Sequence, residues 1–332
     1  MTAPALSSPN IHAASQGLGK RYWGAAIGIC LLAAIAWPLV FPNTFLLTIG
    51  SLTAISLIAA TSLHLVIRMG HISLAHAGFM GIGAYTCVLT VMHLGFPFAL
   101  GLICGAAAAA AVALIIGPIV LRLTGKYFVL VTFLLGEIVR MIFVDWASLT
   151  GGSNGIFGVP PPFAAAASPL VYYYFALACA LLCLAFCTRI LNSEIGRAMD
   201  CMRVAEPLAS SSGIPVVRLK VTIFAIASAL AGVSGALLAH FLRYVDPSSF
   251  GMLQSLNLVI MNVIGGMGSI IGAVIGAIFL TVLPELLRSY VELQRVIYGI
   301  ILIIVMAALP GGIMEIAARV RTLVTPRAAR ES

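Results

Sequence analysis

Apolar stretches long enough to cross a lipid bilayer recur along this chain, and no other feature limits its fold so strongly. The hydrocarbon layer is about 30 Å thick, so roughly 20 helical residues, rising about 1.5 Å each, will span it. Apolar runs and their breakers place such segments near 24–41, 45–67, 72–93, 97–121, 127–145, 169–191 and 221–242. A glycine-split pair follows near 254–265 and 268–283, then a last run near 296–313. Within hydrocarbon only helices and closed barrels satisfy their own backbone, and these runs lack the alternation of barrel strands. The chain reads as all-α, a polytopic helical membrane protein with about 10 membrane segments, including a glycine-split re-entrant hairpin. Charged residues make up 8% of its 332 positions, against about 25% in soluble domains, which excludes a water-facing surface.

The few charges orient it. With the N-terminus inside and 254–283 folded as a hairpin, fourteen Lys and Arg fall on the cytoplasmic side and three, Arg243, Arg288 and Arg295, outside. Such a bias marks cytoplasmic loops. The net charge of +8 therefore reflects topology, not nucleic-acid binding. Three regions result: a polar cytoplasmic tail at 1–22, a transmembrane domain at 23–316, and a basic cytoplasmic tail at 317–332. The run from Gly24 to Phe41 continues past Ala34-Ile-Ala36, so it reads as an uncleaved first helix rather than a signal peptide. The seven cysteines show no paired framework. Cys179, Cys183 and Cys187 share a helix face, where cysteine is usually a small packing residue rather than a metal ligand; no metal site is expected.

Two segments place glycine and polar residues where lipid-facing sequence is due. One is "GHISLAHAGFMGIGAY" at 70–85, with Gly70, His71, Ser73, His76, Gly81 and Gly83; the other is "GGMGS" at 265–269, with Gly265, Gly266, Gly268 and Ser269. Such residues serve close helix packing or a discontinuous helix beside a solute path. Gly70, Ser73 and Ala77 recur 196 residues later as Gly266, Ser269 and Ala273. A duplication leaves this pattern, and so does chance among residues this common. Glu137 and Arg140 stand i, i+3 within a span, where pairing reduces the cost of burial. Gly151, Gly152, Asn154 and Gly155 form an outer loop whose amides can meet a solute or simply turn the chain. The largest charged island, 192–220, carries Glu194, Arg197, Asp200, Arg203, Glu206, Arg218 and Lys220. Asn192 or Ser193 can cap a helix starting near Glu194, Pro207 opens a second one and pushes Glu206 toward extended backbone, and Gly213 with Pro215 ends it.

These stretches resemble the LivM-type permeases of bacterial ATP-binding-cassette importers for branched-chain amino acids. The segment at 70–85 is similar to the signature "GQxSLGHAAFFGIGAY". "LTGKYFVLVTFLLGEIVR" (123–140), "SLTGGSNGI" (148–156), "EIGRAMDCMRVAEPLASSSGI" (194–214) and "GGMGSIIGAVIGA" (265–277) resemble further motifs of that family in the same order. His71 replaces the family's Gln, Ala75 its Gly, and Pro207 interrupts its cytoplasmic motif. The resemblance implies a permease subunit of the bacterial inner membrane, paired with a second homologous permease and fed by a periplasmic solute-binding protein. It implies that the island, through Glu194, Gly196, Arg197, Arg203, Glu206 and Gly213, docks on a cytoplasmic ATPase subunit. No phosphate-binding loop is present: "GLGK" and "LTGKY" lack the required spacing. The chain is thus expected to be no enzyme and to hold no cofactor, ATP and magnesium binding to the partner. Branched-chain or other hydrophobic amino acids are the implied solutes; urea, short amides or aromatic acids are the alternatives within this class. An autonomous proton-coupled transporter using Glu137 is the alternative outside it. An intramembrane enzyme would need a partner for His64, His71, His76 or His93 that the sequence does not offer.

Overall fold

A computed structural model describes residues 43–287 and, beyond them, the single positions Pro38, Ile297, Gly299, Ile300 and Ile303. The expected spans at 24–41 and 296–313, and both tails, lie outside the described residues apart from those positions. Residues Met1–Leu47 form one unit and Thr48–Ser332 another; the packing below is that of the second.

Among the described residues, ten helices of six residues or more carry the chain: α1 Thr44–Arg68, α2 His76–Leu94, α3 Phe98–Val120, α4 Gly125–Asp145, α5 Pro169–Leu191, α6 Glu194–Val204, α7 Glu206–Ser211, α8 Val216–Leu242, α9 Met252–Gly265 and α10 Ile270–Leu286. Between α4 and α5 the chain makes short turns and a two-residue strand β1, Ile156–Phe157, which pairs antiparallel with β2, Tyr244–Val245, after α8. Among the described residues seven helices are long and apolar enough to cross a membrane, the seventh being Pro247–Gly265, which adds a 3-10 turn to α9; α10 is a shorter apolar helix.

Small residues decide which helices meet. On α3, Gly101, Gly105, Ala109, Ala113 and Gly117 recur every fourth position and are all buried. They form one stripe, because i, i+4 positions stack on a helix face. Its other faces carry exposed Ile103, Ile115 and Ile119, as a helix wetted by lipid requires. The stripe seats α3 against α2 and α8: a Cβ on Gly105 would lie 2.6 Å from the Gly83 carbonyl oxygen, and one on Gly232 would lie 3.1 Å from that of Gly105. A Cβ on Gly83 would fall on Gly232, and one on Gly235 on the Met80 carbonyl. These helices touch backbone to backbone, the arrangement small residues permit where no hydrophobic force drives helices together.

The same device folds α9 onto α10. Gly265 meets Gly272 and Gly276 meets the Met261 carbonyl, an antiparallel register. Gly266, at φ 110°, supplies backbone that only glycine adopts without strain.

Candidate functional site

At 69–75 the chain leaves the helix, with Gly70 at φ 87°, and α2 begins only at His76. Gly81 and Gly83 therefore lie inside an unbroken helix: the break expected across 70–85 is confined to its first six residues, and the later glycines serve packing. The two breaks share a local plan. Each follows a helix end with a positive-φ glycine, Gly70 or Gly266. Three residues on, a serine hydroxyl accepts from the amide two positions ahead: Ser73 from Ala75 at 3.3 Å and Ser269 from Ile271 at 3.2 Å. The sequence match 196 residues apart thus has a geometric counterpart.

Between α1, α2 and α9 runs a buried polar seam. Ser62 and His76 share a hydrogen bond of 2.7 Å, His64 Nδ1 lies 3.3 Å from Asn262 Oδ1, and Ser255 accepts from the Ala77 amide at 3.1 Å. The Asn262 amide donates to the Ala60 and Leu258 carbonyls. His64 Nε2, His76 Nδ1 and the Tyr85 hydroxyl are buried with no partner among the described residues, which is unusual for buried polar atoms. The Ser62–His76 pair has no carboxylate on the other ring nitrogen, which a nucleophilic triad requires. Among the described residues no three His, Cys, Asp or Glu side chains group around a metal position.

The island lies against the first break through Arg203. Helix α6 begins at Glu194 as the sequence indicates, but the Ser193 hydroxyl donates to the Ile190 carbonyl at 2.6 Å instead of capping the helix. The extended residue before Pro207 is Ala205, one position earlier than expected, and Glu206 already belongs to α7. Gly196 packs on the Leu191 carbonyl and turns α6 back onto α5. Arg197 reaches Glu194 at 3.4 Å in a fully solvated pair, which contributes little. Arg203 lies over Gly70, its Cγ 3.5 Å from where a Cβ would stand. Lys220, 3% exposed, donates to Glu206 at 2.7 Å. Glu206 therefore holds a buried lysine, whose charge would be costly without that carboxylate. His71 sits beside this pair and against the edge of Phe128; burial first, then the charge of Lys220, holds its imidazole below the usual value of 6.5. Gly213, in positive-φ backbone, closes the segment before α8.

The sequence reading missed two features here. Arg68, the last residue of α1, grips Asp200 of α6 with two contacts of 2.6 and 2.7 Å and donates to the Gly268 carbonyl at 2.9 Å. Val204 and Leu208 stand 82% and 68% exposed on the island, aliphatic side chains among charges. Hydrophobic periodicity could have found the second feature; no local signal carries the first, whose partners lie 132 and 200 residues away.

Elsewhere, Arg140 donates to Glu137 at 2.7 Å, forming the expected ion pair. The other Glu137 oxygen accepts from the Met252 amide at 3.3 Å, placing a carboxylate at the N-terminus of α9, where the helix dipole favours it. In the glycine loop the amides of Gly151, Gly152 and Gly155 bond to Ala147, Thr150 and Gly152, so these three are not offered to a solute. The Asn154 carbonyl accepts from the Tyr244 hydroxyl, tying the loop to β2.

Stacked apolar helices, two glycine breaks and a polar seam sealed inside them define a polytopic membrane protein of the permease class. The chain belongs to the family described as branched-chain amino acid transport system / permease component, whose sequence model matches residues 45–306. It is 32% identical over 311 residues to the high-affinity branched-chain amino acid transport system permease protein LivM of Escherichia coli (strain K12), covering 86% of this chain and 73% of that protein. A segment of 126 residues is 36% identical to the permease protein LivH of Salmonella typhimurium, 37% of this chain and 40% of that one. A probable LivM of Methanocaldococcus jannaschii is 22% identical over 211 residues, 58% and 61% of the two chains. No solved structure matches.

Proposed function

We propose that this chain is the membrane-spanning subunit of an ATP-driven importer that moves branched-chain or other hydrophobic amino acids delivered by a periplasmic binding protein. The island carries this reading: α6 meets the first glycine break through Arg203 and reaches the second through Arg68 of α1, while Val204 and Leu208 of the island stand exposed. Exposed aliphatics on a charged, ordered segment suit a groove on a partner. That partner is the ATPase, which binds ATP and magnesium and meets Glu194, Arg197 and Arg203, with Gly196, Glu206 and Gly213 shaping the segment. The island and both termini then lie in the cytoplasm, α9 and α10 form a re-entrant hairpin, and the chain sits in the inner membrane. Gly70, His71, Ser73, His76 and the 265–269 turn border the solute path, and Gly81 and Gly83 fix the helix beside it. A second, homologous permease completes that path, and the loop at 151–155 faces the binding protein.

The test is reconstitution into proteoliposomes with the second permease, the ATPase subunits and the binding protein. L-leucine uptake is expected to need ATP and every subunit. Val204→Asp should reduce ATPase co-purification at least ten-fold while the chain's own melting temperature holds. Uptake by this chain alone, driven by a proton gradient, would overturn the reading. ATP-driven uptake of urea or an aromatic acid instead of leucine would revise the solute only.

A further inference from the structure

One side chain joins the island to the second break. Arg68 ends α1, two residues before the positive-φ Gly70. Its Nη2 donates to Asp200 Oδ2 at 2.7 Å, and its Nε lies 2.6 Å from Asp200 Oδ1. Its Nη1 donates to the Gly268 carbonyl at 2.9 Å. The planar fork of a guanidinium can satisfy a carboxylate on one edge and a carbonyl on another at once; a lysine ammonium has no such geometry. Around Gly268 there is open space, with nothing within 4 Å of a Cβ position. Gly265 and Gly266 behind it pack against Gly272, but the tip of the turn at Gly268 is not packed and is held from outside by the Arg68 hydrogen bond to its carbonyl. The position related to Arg68 by the 196-residue offset is Ile264, so the first break has no equivalent link.

We infer that Arg68 is a positioning residue that makes the α9–α10 turn move with α6, giving the ATPase a mechanical hold on one of the two breaks. This rests on the reading of α6 and α7 as the ATPase-docking segment. When α6 shifts, the ion pair with Asp200 carries the end of α1 with it, and Nη1 carries Gly268. The first break is then moved by direct contact, Arg203 on Gly70, and the second through Arg68.

The experiment measures L-leucine uptake and ATP hydrolysis in the same preparation of the whole transporter. In Arg68→Gln the solute moved per ATP should fall at least five-fold with the ATPase subunits still co-purifying. Arg68→Lys should fall nearly as far, because charge without the fork does not bridge. Asp200→Asn, which keeps the Gly268 bond, should fall less. A lower yield or melting temperature with an unchanged ratio would make Arg68 a structural staple only and overturn the inference. As a second measurement, spin labels at exposed Cys201 and at Gly268→Cys, with the other cysteines replaced by alanine, report the distance across the link. It should stay constant on ATP addition with Arg68 present and change in the Arg68→Gln variant. A distance that changes with Arg68 intact would overturn the inference. Failure of the wild-type complex to take up leucine or couple it to ATP would defeat the functional reading instead, and the label distances would still be measurable.

Discussion

His71 stands where the resembling family's motif carries glutamine, and it brings a titrating group to the edge of a break. Burial and Lys220 hold its folded-state value below 6.5, so on acidification the unfolded chain takes up this proton first. The contribution is fully present above pH 6.5 and is lost as pH falls below it. Between pH 8 and pH 5.5 the melting temperature of the detergent-purified protein should fall further for wild type than for His71→Gln; parallel curves would exclude the effect. Legibility at this scale followed sequence distance. Glu137 and Arg140 could be paired from their spacing because one helix face holds both. Their service to α9, the hold of Glu206 on Lys220 and the grip of Arg68 on Asp200 needed the fold. Ion pairs between elements leave no trace in a local window.

At the scale of elements, the apolar runs placed the long helices within a few residues, since hydropathy reads directly as length in a membrane. The error was at 70–85, where every glycine looked alike. A glycine that bends the chain and a glycine that admits a neighbouring backbone have the same letter, and only packing distinguishes Gly70 from Gly83. The hairpin offers a direct test of this difference. Gly276→Leu would drive a side chain into the Met261 carbonyl, and overpacking of this kind destabilises by about 1–3 kcal/mol or more; monodisperse protein should largely disappear on size exclusion. Gly268→Ala enters open space at ordinary backbone angles and should leave yield and melting temperature unchanged, although it belongs to the same glycine-rich motif.

For the whole molecule, the proposed re-entrant hairpin and the arginine count together predict a cytoplasmic C-terminus. If 252–286 crossed only once, the four arginines at 319–330 would face outward, against the usual bias. Alkaline phosphatase fused at the C-terminus should therefore be inactive, and fused within the loop at 158–163 it should be active; the reverse pattern would overturn the topology. The class of protein was legible from composition, and the transport role from motif order. The meeting of the island with both breaks was not, because it brings together segments from the beginning, middle and end of the chain. The stripe on α3 has a final consequence. Helices α2, α3 and α8 touch through bare backbone along the stripe, and side chains lock them beside it, Phe79 against Phe224 and Cys87 against His240, so any shear would part the whole stripe at once. Alternating access needs a stator as much as a rotor. On the proposed transport reading this trio would be the stator, and displacements of the hairpin and the island are best measured against labels fixed on its outer faces.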